Sequence, residues 1–404
     1  MSKKALVILV TVSGPDGPGI TSELTGMLAK SGTTILDIGQ AVIHNLLSLS
    51  FLIELDPIHE TSKQPLKDLL FKATEMGLKL DYQVFTPDQL KSNDRLGKKS
   101  FRYALTLIAD KISAQALHDV SQTLAKYKVN IDSIERLSED QFSCVEIIAS
   151  STASLDRNQL KTDLLVIAKE NGVDIALQNE GLFRRSKRMI VLDLDSTLIQ
   201  SEVIDEFARE KGVYGEVSAI TERAMQGELD YNDALQQRCN KLKGLTQDEI
   251  DRVYKKIELT PGAQELIQIL KKLGYKVAVI SGGFSCIADR IKSKLGLDFA
   301  YSNQLEMSDG KATGKVLTPI VNAQRKADLL DVLAQQEGIH LDQVIAVGDG
   351  ANDLLMLQKA GLGIAFNAKS VVKEKAHMSL NQKNLRSILY LLGISGRDQS
   401  EILF

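Results

Sequence analysis

Met189–Leu192 is a run of four apolar residues that leads directly into Asp193-Leu194-Asp195-Ser196-Thr197. A run with no polar alternation suits a parallel strand buried on both faces. Carboxylates are costly to bury, so two of them immediately after such a run belong at its C-terminal end. In an open α/β sheet that end is where ligands bind. Residues two apart on extended backbone point the same way, so Asp193 and Asp195 are placed to converge on one substrate.

The surrounding chain repeats this pattern. From Met189 onward, the short apolar strands Met189–Leu194, Lys276–Ser281, Phe299–Asn303, Val344–Val347 and Gly363–Ala365 alternate with helical stretches, as in a doubly wound α/β domain. Residues 204–256 interrupt the alternation with helical material and read as an inserted cap. A second acidic cluster, Gly348-Asp349-Gly350-Ala351-Asn352-Asp353, follows the strand Val344–Val347. Its glycines let backbone approach a ligand closely, and its carboxylates suit Mg²⁺. Ser281-Gly282-Gly283 ends another strand with a hydroxyl and free amides, a plausible phosphate cradle. Lys326, at the start of a helical stretch, can bring a positive charge. Taken singly, each motif is also compatible with a turn, a cap or a solvated side chain. Their joint order, with three of them at strand ends, favours a catalytic site.

The first half of the chain carries a domain-scale repeat. Leu6–Val12 is a β-branched strand, Gly14–Gly19 a turn, and Ile20, Leu24, Met27 and Leu28 form a helical stripe. Strands at Ile35–Val42 and Ser48–Leu55 and a helix at Leu66–Met76 follow. The same order returns in strand Phe101–Ala109, helix Ala114–Tyr127, strands Val129–Leu137 and Phe142–Ala149, helix Leu160–Asn171 and strand Val173–Gln178. The polar stretch from Ser92 to Lys99 separates the two copies. Arg184-Arg185-Ser186-Lys187-Arg188 reads as a solvated linker face, with anion docking as the alternative.

Bulk properties narrow the function. A net charge of −3 gives no nucleic-acid or membrane footprint. The absence of Trp and the 5% aromatic content remove the stacking surface that single strands need. The three cysteines, Cys144, Cys239 and Cys286, form no CxxC pair, which argues against zinc or a disulfide framework. The apolar run Ala5–Val12 is far short of the ~20 residues that span a bilayer. The expected location is cytoplasmic.

The βαββαβ repeat resembles tandem ACT domains, ferredoxin-like modules that bind amino acids and pair through edge strands. The first copy's Gly-Pro-Asp-Gly-Pro-Gly turn, with Asp16 and Gly19, is similar to the family's ligand loop. The second copy has Ala109–Ser113 there and lacks the glycines. From Met189 to about residue 377 the chain resembles the haloacid dehalogenase superfamily, and within it the phosphoserine phosphatases. The resemblance implies a Rossmann-like core, a helical cap and Mg²⁺. It casts Asp193 as nucleophile and Asp195 as general acid/base, and has Ser281, Gly282 and Lys326 hold the phosphoryl oxygens. It gives the metal to Asp193, Asp349 and the Asp195 backbone carbonyl, with Asp353 in support. It assigns the substrate's ammonium and carboxylate to Glu202 and Arg238, with Met225, Tyr231 and Asn352 lining the pocket.

The resulting expectation is two ACT-like domains at 1–90 and 100–182, then a phosphatase domain at 188–404 with its cap at about 204–256. The expected reaction is Mg²⁺-dependent hydrolysis of O-phosphoserine through an aspartyl-phosphate, the last step of serine biosynthesis. The expected assembly is a homodimer with serine as effector. The alternatives are a sibling phosphatase for another small phosphorylated metabolite, or an amino-acid sensor with an inactive phosphatase domain.

Overall fold

The computed structural model describes residues 6–55, 64–86, 101–138, 142–376 and 378–403. It divides into two compact units, Met1–Lys99 and Ser100–Phe404. In the first unit, β1 (Leu6–Pro15), β2 (Thr34–Ile43), β3 (Leu46–Leu55) and β4 (Lys79–Phe85) form an antiparallel sheet in the order β2-β3-β1-β4. Helices Ile20–Lys30 and Gln64–Glu75 pack their Leu24, Leu28, Leu69 and Ala73 against one face. Alternate residues of β1, Ile8, Val10 and Val12, fill that core, the period-2 pattern of a sheet covered on one side.

The second unit opens with the same topology. Strands β5 (Phe101–Ala109), β6 (Asn130–Arg136), β7 (Ser143–Ser151) and β8 (Asp174–Asn179) run in the order β6-β7-β5-β8. Here both faces are covered. Tyr103, Leu105 and Leu107 pack under the helices, while Ile108, Cys144 and Ala176 join the core of the following domain. Polar contacts follow that seam. Asp174 accepts from the Asn381 backbone and side chain at 2.7 and 2.6 Å, and Gln178 donates to the Leu391 carbonyl at 3.0 Å.

A seven-stranded sheet forms the rest of the unit, ordered β12-β11-β10-β9-β13-β14-β15. Its strands are β9 (Met189–Leu192), β10 (Lys276–Phe284), β11 (Phe299–Ser308), β12 (Lys311–Leu317), β13 (Val344–Gly348), β14 (Leu362–Phe366) and β15 (Met378–Leu380). β9 is central, paired in parallel with β10 and β13. Its Ile190 and Leu192 enter one apolar core and its Met189 and Val191 the other, so both faces are dry. Each such side chain contributes about 1.5–3 kcal/mol on burial. Helices Val203–Lys211, Tyr214–Met225, Tyr231–Lys241 and Gln247–Lys256 follow β9 and occupy the stretch expected to form a cap.

Two expectations change. The strand expected at Phe299–Asn303 continues to Ser308 and returns as β12, antiparallel to it. Asp309 and Gly310 both have positive φ (50° and 73°), as a two-residue hairpin turn requires. The basic stretch 184–188 is solvated only in part: Arg185 and Arg188 are exposed, but two of its cations are not. Arg184 is buried in ion pairs with Glu146 and Glu180, and Lys187 is 7% exposed and donates to the Asp342 carbonyl. Among the described residues no helix is long and apolar enough to cross a membrane.

Candidate active site

The C-terminal ends of β9, β10 and β13 meet the first turn of helix Ala323–Gln336. Asp193 follows β9 and is fixed by its own amide, which donates to the Val347 carbonyl at 2.8 Å. Its Oδ1 accepts from the Leu194 amide at 2.8 Å and pairs with Lys326 Nζ at 2.8 Å. Lys326 is fully buried and reaches Asp353 Oδ1 at 2.6 Å on its other side. The second oxygen of Asp353 accepts from the Gly350 amide at 2.9 Å. Burial opposes the lysine's charge, but Asp193 and Asp353 outweigh it and hold Lys326 well above its ordinary value.

Asp195 is turned toward a different set of partners. Its Oδ1 accepts from the Val203 amide at 2.9 Å and its Oδ2 from the Ser281 hydroxyl at 3.1 Å. Burial, with the charge of Glu202, pushes this carboxyl up to about 7. Ser196, at φ 55°, reverses the chain so that its hydroxyl donates to Glu202 Oε1 at 2.8 Å. Thr197 donates to Asp349 Oδ1 at 3.2 Å, joining the β9 loop to the β13 loop. Burial and Asp353 push Asp349 up to about 6. Burial, then Asp353, drives Asp193 upward as well, with Lys326 pulling against it.

Close backbone approach explains the glycines. A Cβ on Gly283 would stand 2.5 Å from Asp195 Oδ2, and one on Gly348 would stand 2.5 Å from the Asp353 carboxyl carbon. On Gly282 a Cβ would meet Tyr231 Oη at 2.4 Å, so this tyrosine of helix Tyr231–Lys241 closes over the Ser281–Gly283 loop. The Gly283 amide donates to Ser281 Oγ at 2.7 Å.

The remaining expected residues lie further out. Glu202 is exposed but bonded into the acidic loop through Ser196. Arg238 is half-buried, with its Nε 3.4 Å from the Ala234 carbonyl of its own helix. Its charge reaches Tyr231 and Asp205. Asn352 is partly exposed and folds its Oδ1 over Gly350. Met225 is 67% exposed, its sulfur 3.7 Å from Lys369 Nζ.

One site residue escaped the sequence reading. Asn303, 1% exposed, donates to the Gly282 carbonyl at 2.7 Å and accepts from the Val321 amide at 2.8 Å. It ties the Ser281 loop to the segment that carries Lys326. Its signal was an amide closing the short run expected as the strand Phe299–Asn303, although the structure places it inside β11.

Asp193, Asp349 and Asp353 each bring a carboxylate oxygen within 4.8 Å of the others. Among the described residues four carboxylates, counting Asp195, surround the one cation of Lys326, so the pocket has an excess of acidic groups. An oxygen-only donor set of this kind fits Mg²⁺.

In the first unit, Asp16 and Gly19 are exposed between β1 and helix Ile20–Lys30, and the Asp16 amide donates to the Asn45 carbonyl at 2.8 Å. The second copy differs at this turn. Ser113 caps its helix by accepting from the Ala116 amide at 3.1 Å, which engages the loop in its own fold.

Comparison with known proteins accords with this architecture. Residues 187–361 match the haloacid dehalogenase-like hydrolase model, and residues 7–83 and 102–178 each match an ACT domain. The chain is 40% identical to a phosphoserine phosphatase of Streptomyces coelicolor over 96% of its own length and 92% of the relative's. It is also 40% identical to the phosphoserine phosphatase of Mycobacterium tuberculosis, covering 96% and 93%. Among solved structures, a haloacid dehalogenase family hydrolase from Salmonella enterica serovar Typhi superposes with a TM-score of 0.63 at 30% identity. That match covers 72% of this chain and 98% of the other. A probable phosphoserine phosphatase from Vibrio cholerae gives 0.59 at 34%, covering 74% and 88%. Fold, acidic site and relatives together place the chain in the phosphoserine phosphatase family, as a haloacid dehalogenase-like enzyme preceded by two ACT domains.

Proposed function

We propose that the chain hydrolyses O-phosphoserine to serine and phosphate through a phosphoryl group carried on Asp193, and that Mg²⁺ is the required metal. The observation that carries this reading is the division of labour between the two carboxylates. Asp193 is paired with Lys326 at 2.8 Å, while Asp195 is held separately by Val203 and Ser281.

In this reading Asp193 Oδ2 attacks phosphorus, since Oδ1 is engaged with Leu194 and Lys326. The bond from phosphorus to the serine oxygen breaks, and that oxygen takes the proton of Asp195. An alkoxide is a poor leaving group, and a positioned general acid contributes roughly 10²–10⁴ in rate. Water then attacks phosphorus, yields its proton to Asp195, and releases Asp193 and phosphate. Lys326, the Ser281 hydroxyl and the loop amides receive the phosphoryl oxygens, whose charge must be offset before a carboxylate can approach. Mg²⁺, held by Asp193 and Asp349, would add the positive charge that this acidic pocket lacks.

Glu202 would take the substrate ammonium, and Arg238, whose fork matches a carboxylate, its carboxyl group. Tyr231, Met225 and Asn352 would border the pocket, and Asp353 would keep Lys326 in place. The reaction would be the last step of serine biosynthesis, in the cytoplasm. A homodimer fits the exposed apolar row Leu36, Ile38, Ile43 and Leu46 along β2 and the turn into β3, because an uncovered sheet edge is a template for pairing. Serine binding at the Asp16–Gly19 turn would supply feedback. If serine neither binds nor inhibits, the feedback reading is lost.

The decisive test is Mg²⁺-dependent phosphate release from O-phosphoserine, O-phosphothreonine and an aryl phosphate, with wild type and Asp193→Asn. Strong preference for phosphoserine, lost in the variant, is the expected result. Equal turnover of all three esters would keep the chemistry but discard the substrate. No release from any ester would leave a sensor with an inactive domain.

A further inference from the structure

The basic stretch that the sequence presented as a linker lines a cavity of ≈ 830 Å³ within the second unit. Arg157, Lys161 and Gln178 of the second ACT domain form one wall, and Lys187, Lys359 and Lys375 belong to the other. Two of the cations at this cavity are neutralised internally. Arg184 is committed to Glu146 and Glu180, and Lys359 is paired with Asp331.

Lys161 and Lys187 are not. Lys161 donates to the carbonyls of Ala376 and, at 3.5 Å, Glu374, and Lys187 to the carbonyl of Asp342. Neither ammonium has a carboxylate within ion-pair distance among the described residues. Each carries three N–H donors, so both retain hydrogen-bonding capacity after these contacts. Burial pulls both lysines below their ordinary range, Lys187 to about 8. Two cations held in a partly dry wall without an ion-paired carboxylate are unfavourable unless an anion completes them. The charge of the exposed Asp342 offsets the burial of Lys187 only in part. Asp342 and Glu374, the acidic groups at the rim, are exposed, and they leave the cavity with a surplus of positive charge.

We propose that this cavity is a binding site for a small dianion, whose carboxylate, sulfate or phosphate oxygens are taken by Lys161 from the ACT side and Lys187 from the catalytic side. Such a ligand would clamp the second ACT domain onto the base of the catalytic sheet. The site is distinct from the acidic one. Lys187 precedes β9 and Asp342 precedes β13, whereas Asp193 and Asp349 follow those strands. At about 3.3 Å per residue, six residues of extended chain separate the two sites by about 20 Å.

The test is residue-resolved acylation of lysines in the full-length wild-type protein, with succinate and sulfate as probes and sodium chloride at equal ionic strength as reference. Saturating dianion is expected to slow modification of Lys161 and Lys187 about tenfold, the scale of a charge-assisted hydrogen bond, and to leave the exposed Lys30 unchanged. Lys187→Gln should weaken the protection of Lys161 about tenfold. If that variant does not fold, the wild-type footprint decides alone. Protection by succinate only identifies a carboxylate ligand, and by sulfate only a sulfate- or phosphate-bearing one. Equal protection by chloride, or none by either dianion, overturns the proposal.

Discussion

Gly283→Ala adds one methyl group beside the candidate general acid and removes no functional atom. Gly283 has no positive φ, so alanine meets no backbone strain there. Its Cβ would lie 2.5 Å from Asp195 Oδ2 and 3.0 Å from Ser281 Oγ. Non-bonded contacts settle near 3.5 Å, so the carboxylate must retreat by about 1 Å. That motion breaks its bonds to the Val203 amide and the Ser281 hydroxyl, now 2.9 and 3.1 Å. A misplacement of that size costs about 10²-fold, and complete loss of the proton donor up to about 10⁴. The fold should suffer far less, about 1–3 kcal/mol of overpacking, because the atom in the way is the tip of a side chain. The assay is kcat/KM on O-phosphoserine beside p-nitrophenyl phosphate, which reports formation of the phosphoenzyme and leaves out the water step the two esters share, with thermal melting as the folding control. The serine ester should lose about hundredfold or more and the aryl ester much less, since p-nitrophenolate leaves without a proton. An equal loss in kcat/KM on both esters, or a kcat/KM on O-phosphoserine within about threefold of wild type in a folded variant, would refute the assignment of Asp195.

Further expectations follow from the same geometry. Lys326→Met strands Asp193 and Asp353 in the interior and should cost about 3–5 kcal/mol in urea unfolding without Mg²⁺. It should also abolish turnover, and a variant as stable as wild type would contradict the buried triad. Asn303→Ala unties the Gly282 carbonyl from the Val321 amide. It should lower kcat and stability together, by about 1–3 kcal/mol in unfolding, and an unchanged kcat would deny it a positioning role. Mg²⁺ should raise the melting temperature of wild type and less that of Asp349→Asn, since a ligand at a hundredfold its Kd adds about 2.7 kcal/mol. Equal shifts would remove Asp349 from the metal site. Lys187 carries a pH signature. Its folded value, about 8, lies below the unfolded lysine value, so between the two the unfolded chain binds more protons. Stability relative to Lys187→Met should therefore rise with pH across pH 8–10, by less than about 1.4 kcal/mol per unit. A flat difference would mean that Lys187 is solvated.

Much of the architecture was legible because periodicity reports burial. The unbroken apolar run at β9 indicated a strand covered on both faces, and it is the central strand of the sheet. The hairpin β11–β12 was missed although Asp309-Gly310 carries its turn signal, since its polar residues look like loop when read as hydropathy alone. Two residues of the basic stretch were misread for the opposite reason. Arg184 and Lys187 look solvated until Glu146, Glu180 and the Asp342 carbonyl arrive from sequence positions far away. Asn303 was passed over because an isolated amide carries no spacing pattern.

The chain by itself determined what short-range chemistry can specify: which segments are strands, where acids follow apolar runs, and that the βαββαβ unit occurs twice. Tertiary structure decided which of these groups meet. Only the fold brings Lys326 between Asp193 and Asp353, and turns Asp195 away from them toward Ser281. Only the fold shows that the second ACT sheet is covered on its outer face, by the catalytic domain's core through Ile108, Cys144 and Ala176. The physical reason is the same in each case. Local propensity and hydropathy act over a few residues, whereas ion pairing and desolvation depend on distances in space that the sequence does not contain.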